Sequence, residues 1–331
     1  MNRFLGIDGG GTKTEFVVCD ESGYISDILR NGPTNPIFID EKLAFANLDN
    51  GINEISKQVN REFGCLTICI PGLKQYGEEI SKKYSNISKK VITGADELNT
   101  YYSAIGDCPG VVVLSGTGSF VIGKNEKDEF KTFGGWGPLV GDEGSGYYIG
   151  LSCLKEVIRA YENNLTTTLS NEVEKYFNIN NIIQLRKALY RDNVDREKIA
   201  GLCKVVYKNA CIEDKISLQI INEAAIKLAN LAKTAISQLR LHNEIITVVL
   251  TGGVSKMKDT IIKPFTNELL EAFPKVIIQE PRFEPSVGAL IMAMKEYGIT
   301  INEDILDNLQ KSYQEKNPIL RSDSNVKRKI L

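Results

Sequence analysis

The chain has 331 residues, with 40 lysine and arginine residues against 42 aspartate and glutamate residues, so its formal net charge at pH 7 is −2. This balance leaves no excess of positive charge of the kind that binds nucleic acid or an anionic membrane surface. No apolar run approaches the ~20 residues that a membrane-spanning helix needs, and no signal-peptide core follows Met1. We therefore expect a cytoplasmic protein, long enough for two domains, that binds neither nucleic acid nor membrane.

A single histidine and seven cysteines further limit the chemistry. His242 is expected at the end of a long helix, in a surface or C-terminal capping role. With this histidine alone, most zinc sites and most histidine-assisted nucleophilic catalysis are excluded. The cysteines are odd in number and irregularly spaced, which indicates reduced thiols rather than a disulfide framework. Acid–base work is therefore expected from a carboxylate, and Cys65 and Cys69 are predicted to be core residues of a strand.

The first motif is a glycine-rich turn between two apolar runs. Residues 4–20 read FLGIDGGGTKTEFVVCD, and three consecutive glycines leave backbone N–H groups open to an anion, with no Cβ in the way. Neither the P-loop nor the dinucleotide pattern fits, because Thr12 separates Gly11 from Lys13 and a β-rich run replaces the helix that both patterns require. We predict a phosphate-binding hairpin, the first glycine turn (residues 9–14); an ordinary glycine hairpin is the alternative.

The segments after this hairpin predict the order β-β-β-α-β-α-β for the first part of the chain. The further elements, in chain order, are a strand over 24–29, a helix capped by Asp40, a strand over 66–70, a short helix over 77–84, a strand over 90–93 and a helix from Asp96 to Ile105.

A second hairpin repeats the layout of the first. Residues 111–130 read VVVLSGTGSFVIGKNEKDEF, which is an apolar strand, a turn with glycine and threonine, a second apolar strand and a charged turn. Such internal repetition predicts two similar domains, each offering a loop to the same polyphosphate. Two unrelated hairpins are the alternative. Residues 115–119 are named the second glycine turn.

The remaining chain is predicted to be mostly helical up to residue 241. Its long helix, 214–241, carries an apolar stripe typical of a core-facing surface: Ile221, Ala225, Leu228, Ala232, Ala235 and Leu239. The other expected elements are helices 147–161, 169–177, 182–191 and 196–209, strands 244–250 and 275–279, a tight turn at 251–253, a helix to Ala272 with Ser255 as N-cap, and a helix over 286–297.

A third glycine-rich segment, residues 134–146, reads GGWGPLVGDEGSG and contains the only tryptophan of the chain, Trp136. A flat aromatic ring beside a carboxylate suits sugar recognition, because the ring packs on the apolar face of the sugar and Asp142 can accept hydrogen bonds from hydroxyls. A tryptophan that only fills a domain interface is the alternative.

Taken in order, five motifs resemble those of the N-acetylglucosamine kinases and their relatives, the BadF/BadG/BcrA/BcrD-type ATPases, a group that includes activators of benzoyl-CoA reductase and 2-hydroxyacyl-CoA dehydratase. The motifs are DGGGT at 8–12, SGTGS at 115–119, GGWG at 134–137, GDEGS at 141–145 and TGG at 251–253. The resemblance spans about residues 4–297. It implies an α/β fold, the duplicated actin-like ATPase (ribonuclease H-like) fold, with two domains flanking a nucleotide and sugar cleft.

The resemblance also implies the domain limits. An N-terminal actin-like domain is expected over residues 1–116, with the helical segment at about 286–316 packing back on it. A C-terminal actin-like domain with a helical insertion is expected over 117–285, and a poorly ordered polar tail over 317–331.

Carried over residue by residue, the resemblance implies roles for the motif residues in binding ATP, Mg²⁺ and an amino sugar. Asp8 would orient Mg²⁺, through water, because Mg²⁺ retains several waters beside a carboxylate. The residues that would bind ATP are Gly10, Gly11, Thr12, Thr117, Gly118, Gly252 and Gly253. The residues that would bind the sugar are Asn35, Asp96, Gly135, Trp136 and Asp142.

Asp96 is the residue that we expect to act as general base. It follows a strand and begins a helix, and the catalytic aspartate of the family occupies the matching position before the second hairpin. Without the resemblance, a simple helix N-cap would be the favoured interpretation of this residue.

Three positions depart from the family pattern. Pro36 and Ile37 follow Asn35 where animal members have a histidine and an aromatic residue, which affects sugar packing. Phe120 follows Ser119 where a polar residue is usual, and Glu213 stands where a glycine near the nucleotide is usual.

The sequence therefore predicts an ATP-dependent kinase that phosphorylates the 6-hydroxyl of N-acetylglucosamine or N-acetylmuramic acid, acting as a homodimer. Glucosamine is an alternative substrate. An ATPase that activates a 2-hydroxyacyl-CoA dehydratase-type enzyme through a shared iron–sulfur cluster is an alternative function, and it requires thiolate ligands.

Overall fold

The computed structural model describes residues 2–94, 96–165, 167–191, 194–241 and 245–317. His242 and the predicted tail after Asn317 therefore lie outside the described residues. Within these ranges, no helix is both long and apolar enough to cross a membrane.

Among the described residues, the strands form two groups of five, one on each side of residue 108. The first group is β1 (Arg3–Gly9), β2 (Thr14–Asp20), β3 (Ile25–Asn31), β4 (Cys65–Cys69) and β5 (Val91–Thr93). The second group is β6 (Gly110–Ser115), β7 (Ser119–Lys124), β8 (Phe130–Gly134), β9 (Ile246–Thr251) and β10 (Val276–Gln279).

The α-helices follow the predicted order. They are α1 (Glu41–Val59), α2 (Gly77–Lys83), α3 (Asp96–Ile105), α4 (Gly146–Glu162), α5 (Thr168–Phe177), α6 (Leu185–Arg191), α7 (Arg196–Ala210), α8 (Lys215–Gln238), α9 (Asp259–Ala272), α10 (Pro285–Tyr297) and α11 (Glu303–Lys316).

The chain folds into two compact units, Met1–Cys108 with Pro281–Leu331, and Pro109–Glu280. The observed division after Cys108 differs from the predicted limit after residue 116. The reason is that β6 pairs with β7 and β9, so this strand belongs to the second sheet. At the other limit, the division after Glu280 comes a few residues before the predicted end at 285.

The two sheets have the same topology. In the first, the strand order is β3-β2-β1-β4-β5, with antiparallel pairing among the first three strands and parallel pairing of β1 with β4 and of β4 with β5. The second sheet has the equivalent order β8-β7-β6-β9-β10 and the same pairing directions. The duplication predicted from the hairpins is confirmed, and it extends to β8, a strand that the sequence analysis missed.

Each sheet is covered by helices that bury apolar stripes. In the first unit, Leu48, Ile52 and Ile55 of α1 join the core formed by β1, β2 and β4. In the second unit, all six residues of the predicted α8 stripe are buried. Burial of whole apolar side chains on this scale is the main stabilising contribution to each unit.

Helix α9 does not begin as predicted. Ser255 lies in a short 3₁₀ helix, Val254–Met257, and its hydroxyl donates to the Gly252 carbonyl at 2.9 Å instead of capping a helix. Helix α9 starts only after Lys258, which has φ +51° and provides no side-chain cap. The prediction was wrong because a serine after a tight turn can bond backward as readily as forward.

Helix α10 packs directly on the backbone of β1. A Cβ at Gly6 would lie 2.5 Å from the backbone nitrogen of Leu290 and 2.7 Å from the carbonyl oxygen of Ser286. Backbone atoms cannot move aside as a side chain can. Glycine at this strand position is therefore what lets α10 approach β1.

We expect Gly6→Ala to lower the melting temperature by about 5–10 °C, because the new methyl group overpacks a backbone contact. Gly123→Ala is the matched control, since the added Cβ there first meets the end of the Leu239 side chain, which can change rotamer. Thermal unfolding followed by circular dichroism measures both. Equal melting temperatures for Gly6→Ala and the wild type would contradict the close approach.

Candidate active site

The first glycine turn is anchored at its base and open at its tip. The Thr14 hydroxyl donates to the carbonyl of Gly32 (2.9 Å) and shares a hydrogen bond with the Thr34 hydroxyl (2.8 Å). At the tip, the N–H groups of Gly11 and Thr12 bond to none of the described residues. Successive open N–H groups form an anion-binding concavity. The turn can therefore receive phosphate oxygens without losing a bond that holds its shape.

Asn35 is joined to the same turn through the backbone. The N–H groups of Thr34 and Asn35 donate to the carbonyl of Gly10 at 3.2 and 3.3 Å. The side chain of Asn35 is buried, and its Oδ1 accepts a hydrogen bond from the N–H of Ile37 at 2.9 Å. The Nδ2 group is therefore the donor that Asn35 can offer to a ligand.

An aromatic ring lies against the tip of the first glycine turn. A Cβ at Gly11 would lie 3.0 Å from the Cβ and ring atoms of Phe38, and Phe38 is 60% exposed. The departure at Pro36 and Ile37 therefore does not leave this loop without an aromatic side chain. Motif comparison missed Phe38 because it stands three positions beyond Asn35 rather than directly after it.

Asp8 lies near the end of β1 in a group of carboxylates. Burial is the largest of the causes that raise the pKa of Asp8 to about 7, and the negative charges of Asp96 and Glu15 add to it. A hydrogen bond from Nδ2 of Asn99 to Oδ1 of Asp8 (3.2 Å) and the charge of Lys13 act in the opposite direction. Near neutral pH, a cation placed here would therefore favour the ionised form of Asp8.

Asp96 is the first residue of α3, and Asn99 lies one turn further on the same helix face. Although Asp96 is exposed overall, nearby protein atoms partly desolvate its carboxyl group, which raises its pKa; Lys74 lowers the pKa and Glu97 raises it. The N-terminal turn of α3 thus brings Asp96 and Asn99 to Asp8. Asn99 was missed because a single asparagine within a helix has no motif.

Glu15 faces Asp8 across the β1–β2 pair and is bonded on its other side to the C-terminal helices. Its carboxylate accepts hydrogen bonds from Nε of Arg30 (2.8 Å), the hydroxyl of Ser286 (2.5 Å) and the hydroxyl of Tyr313 (2.8 Å). These three donors hold Glu15 beside the first glycine turn. They also connect that turn to α10 and α11.

The second glycine turn, in the second unit, is bonded to the start of α4. The carbonyls of Gly116 and Thr117 accept hydrogen bonds from the N–H groups of Gly146 (2.7 Å) and Tyr147 (3.2 Å). The N–H groups of Thr117 and Gly118 have no acceptor in the part of the chain that the structure describes. Like the first turn, the second has anchored carbonyls and open N–H groups.

Asp142 is almost fully buried and already bonded, which differs from its expected sugar-facing position. One carboxylate oxygen accepts the N–H of Ser119 at 3.3 Å, and the other is paired with Nη2 of Arg196. The backbone of Asp142 is left-handed, with φ +57°. A role for Asp142 in sugar binding stays a prediction, and its ion pair with Arg196 is a contact that the sequence analysis did not predict.

The loop around Trp136 is exposed, and its start is hydrogen-bonded to the second glycine turn. The N–H of Gly135 donates to the carbonyl of Ser119 at 3.1 Å. Trp136 is 78% exposed, and Leu139 and Val140 further along the loop are also exposed. Within the second unit, the indole face is therefore open to a ligand.

The turn at residues 252–253 is packed on one side and open on the other. Gly252 has φ +99°, and a Cβ there would clash with the carbonyl of Ser115. The Cβ position of Gly253 has no atom within 4 Å. The open side is where an adenosine could lie against the backbone, as the resemblance implies.

The other two departures from the family pattern have local structural consequences. Glu213 has φ +63° in the turn between α7 and α8, a conformation that glycine adopts at lower cost. Phe120 lies on β7, and its Cβ is 3.4 Å from the Cβ position of Gly135, so it supports the start of the tryptophan loop.

No group of three or more His, Cys, Asp or Glu side chains placed to hold a metal ion occurs among the described residues. A Mg²⁺ ion does not need such a group, because it is commonly held by one or two carboxylates, waters and substrate phosphates. A single carboxylate, Asp8, fits that mode of binding.

Two sheets of equivalent topology, each with a glycine turn after its first strand, define the duplicated actin-like ATPase fold. The chain belongs to the BadF/BadG/BcrA/BcrD ATPase family, whose family model matches residues 5–293.

Among similar proteins, a Clostridium acetobutylicum N-acetylmuramic acid/N-acetylglucosamine kinase is 26% identical over 308 residues, covering 89% of this chain and 99% of the relative. A Dictyostelium discoideum N-acetyl-D-glucosamine kinase is 29% identical over 314 residues, covering 88% and 97%. The crystal structure of a putative N-acetylglucosamine kinase from Chromobacterium violaceum has a TM-score of 0.67 at 17% identity, covering 89% of this chain and 99% of that one. The structural likeness supports the fold.

The raised pKa of Asp8 has a consequence for stability. Because the folded state binds the proton more tightly than the unfolded state does, the ionised carboxylate costs folding free energy, increasingly as the pH rises from about 4 to about 7. Asp8→Asn removes this cost. At pH 8 without nucleotide or Mg²⁺, we expect the variant to be more stable than the wild type by about 1–3 kcal/mol, with a smaller difference at pH 5.

Chemical denaturation at the two pH values measures this difference. Asp304→Asn is the control, because Asp304 is an exposed acid in the first turn of α11, and we expect no such gain from its replacement. An Asp8→Asn protein that is less stable than the wild type at pH 8 would contradict the assigned environment of Asp8.

Proposed function

We propose that this protein is an ATP-dependent kinase that transfers the γ-phosphoryl group to the 6-hydroxyl of an N-acetylated amino sugar, N-acetylglucosamine or N-acetylmuramic acid. The observation that supports it most is the pair of glycine turns with open N–H groups, one after the first strand of each sheet. Family membership supports the use of ATP. The names of the two relatives support an amino sugar as acceptor.

Each unit contributes groups that can bind a polyphosphate. In the proposal, Gly10, Gly11 and Thr12 of the first unit hold the β- and γ-phosphates. Gly11 and Thr12 donate from open N–H groups, whereas the N–H of Gly10 donates to the Lys13 carbonyl at 3.0 Å, so Gly10 contributes the space that a missing Cβ leaves. In the second unit, Thr117 and Gly118 bind phosphate, and the turn at 252–253 receives the adenosine. Backbone N–H donors suit this task because they are already oriented and stabilise the negative charge that spreads over the transferring group.

Asp96 acts as general base in this proposal. Its carboxylate would accept the proton of the sugar hydroxyl and orient that hydroxyl toward the phosphate. The raised pKa of Asp96, which partial desolvation causes, makes the carboxylate a better proton acceptor. Asn99, on the same helix as Asp96, donates a hydrogen bond to Asp8 at 3.2 Å. Asp8 would hold Mg²⁺ through water, and the ion would neutralise phosphate charge.

The sugar would meet aromatic and amide groups. The exposed indole of Trp136 offers a flat apolar face, Gly135 leaves space beside it, and Asn35 can donate from Nδ2. Phe38 adds a second exposed ring beside the first glycine turn. Asp142 accepts one bond from Ser119 and one from Arg196, and each carboxylate oxygen keeps a further lone pair that could accept from the sugar. A cytoplasmic location and a homodimeric assembly remain predictions from the sequence.

The alternative function, activation of a dehydratase through an iron–sulfur cluster, finds little support in the cysteines of β4. Cys65 and Cys69 are buried, and burial raises the pKa of both thiols, to about 11 for Cys65. Thiols that resist ionisation and lack access to a partner are poor cluster ligands.

We expect Asp96→Asn to lower kcat by at least ~10²-fold, the usual scale for a positioned base, while the KM values for ATP and sugar change little. Asp304→Asn is the matched control, because it makes the same change in the first turn of another helix of the first unit. Near-normal turnover by Asp96→Asn would remove Asp96 from the mechanism.

A coupled ADP-release assay with N-acetylglucosamine, N-acetylmuramic acid, glucosamine and glucose tests the substrate class. We expect the highest kcat/KM with one of the N-acetylated sugars, and no sugar-dependent release with the 6-deoxy analogue of that sugar, because it lacks the acceptor hydroxyl. Phosphorus NMR of the product identifies the phosphorylated position. Sugar-independent ADP release at one rate in every reaction would contradict the kinase proposal.

A further inference from the structure

Asn99 is a buried polar residue whose side chain joins α3 to the end of β1. It is 5% exposed, and its Nδ2 donates to Oδ1 of Asp8 at 3.2 Å, across 91 positions of the chain. The other carboxylate oxygen of Asp8, Oδ2, accepts no hydrogen bond from the described residues. Within the described part of the chain, Asn99 is therefore the donor that fixes the orientation of this carboxylate, and Oδ2 stays open.

The carbonyl end of the same amide has no partner. Oδ1 of Asn99 is buried and bonds to none of the described residues. It lies against α10, where a Cβ at Gly288 would come within 2.6 Å of it. Reversing the amide would bring its oxygen against the carboxylate of Asp8, which is two acceptors without a proton between them. The orientation of the amide is therefore imposed by Asp8, and the unsatisfied oxygen follows from it.

A purely structural role explains this arrangement less well. Asparagine is a weaker helix former than alanine, and an unsatisfied buried carbonyl destabilises the fold. Two neighbouring polar side chains of α3 bond within the helix: the Thr100 hydroxyl donates to the Asp96 carbonyl at 2.8 Å, and the Ser103 hydroxyl donates to the Thr100 carbonyl at 3.0 Å. Asn99, in contrast, directs its donor out of the helix and toward a carboxylate.

The position of Asn99 on α3 relates it to the proposed general base. Asp96 is the first residue of this helix, and Asn99 lies one turn further on the same face. A single helical turn therefore carries both the proposed base and the donor that holds Asp8. Partners that orient a metal-binding side chain commonly affect metal affinity almost as strongly as the ligand itself does. The contact between Asn99 and Asp8 has the form of such a partnership.

We propose that Asn99 is a positioning residue for the Mg²⁺ site, where its amide holds Oδ1 of Asp8 and thereby keeps Oδ2 free for the hydrated cation. The inference rests on the ATP and Mg²⁺ use proposed above. It deepens that proposal, because it assigns the orientation of the metal-binding carboxylate to one amide of α3. Asn99 acts through Asp8 and contacts neither the nucleotide nor the sugar.

The gain in nucleotide affinity that Mg²⁺ produces tests this assignment without turnover. Calorimetry gives the dissociation constant of a non-hydrolysable ATP analogue with Mg²⁺ and with EDTA, in the absence of any sugar. The ratio of the two constants is the metal-linked gain. For N99A, we expect this gain to fall at least about threefold, because Asp8 loses its fixed orientation. The affinity in EDTA should stay within about twofold of the wild-type value.

N99A is expected to fold, because alanine is the strongest helix former and the unsatisfied oxygen is removed with the amide. N99S is the second variant, since its hydroxyl is too short to reach Asp8 and can bond within the helix as that of Ser103 does. We expect the same fall in the metal-linked gain. S103A is the matched control: Ser103 lies one turn further along α3, against the same Gly288 of α10, and we expect the wild-type gain.

A double-mutant cycle with D8N shows whether Asn99 acts through Asp8. We expect D8N to lower the metal-linked gain by more than N99A does. Adding N99A to D8N should then change the gain by less than about twofold, because the group that Asn99 orients is already lost. This non-additivity distinguishes a positioning role from a general loosening of α3.

The wild-type metal-linked gain in folded N99A or N99S would overturn the inference. An equal loss of analogue affinity with and without Mg²⁺ would also overturn it, as would additive effects of N99A and D8N. Because analogue binding does not depend on turnover, a wild-type protein that phosphorylates no sugar would contradict the kinase proposal alone. A fall of the metal-linked gain in N99A would then still support this inference.

Discussion

Open backbone N–H groups at two glycine turns are the feature on which the rest of the structure depends. An N–H group stays without an internal acceptor at little cost only where water or a ligand reaches it. The tip of each turn must therefore be exposed, and hydrogen bonds at its base must fix its shape. In the first unit Thr14 bonds to Gly32 and Thr34, and in the second unit Gly116 and Thr117 bond to the start of α4. The donors are thus oriented before any ligand binds, which lowers the cost of reorganisation during phosphoryl transfer.

Close packing at glycine residues provides much of the support for the two glycine turns. Gly6 allows α10 to lie on the backbone of β1, and Ser286 of that helix then reaches Glu15 beside the first glycine turn. Gly118 makes room for the pair between Asp142 and Arg196 beside the second turn. In the first unit, burial and then the negative charges of Asp96 and Glu15 raise the pKa of Asp8. The ionised form of Asp8 therefore costs folding free energy, and strongly shifted pKa values of this kind are common at functional sites.

The sequence predicted the features that are local in the chain. Strand periodicity, glycine turns and helix signals predicted the order of elements through α3, and the repeated hairpin predicted the duplicated fold. Contacts between distant segments could not be predicted in this way, since periodicity relates only residues a few positions apart. Arg196 lies 54 positions from Asp142, and Tyr313 lies 298 positions from Glu15. The short strand β8 was missed because it has only five residues, Phe130–Gly134, and its last residue begins the glycine-rich segment that indicates a loop.

Hydrogen–deuterium exchange of the two glycine turns, with and without Mg²⁺ and a non-hydrolysable ATP analogue, tests the central claim most directly. If their open N–H groups bind phosphate, exchange at Gly11, Thr12, Thr117 and Gly118 slows when the analogue saturates the protein. A peptide within the C-terminal half of α9, such as residues 265–271, should be unaffected and serves as the internal control. Unchanged exchange in either turn, with saturation verified by calorimetry, would contradict the account.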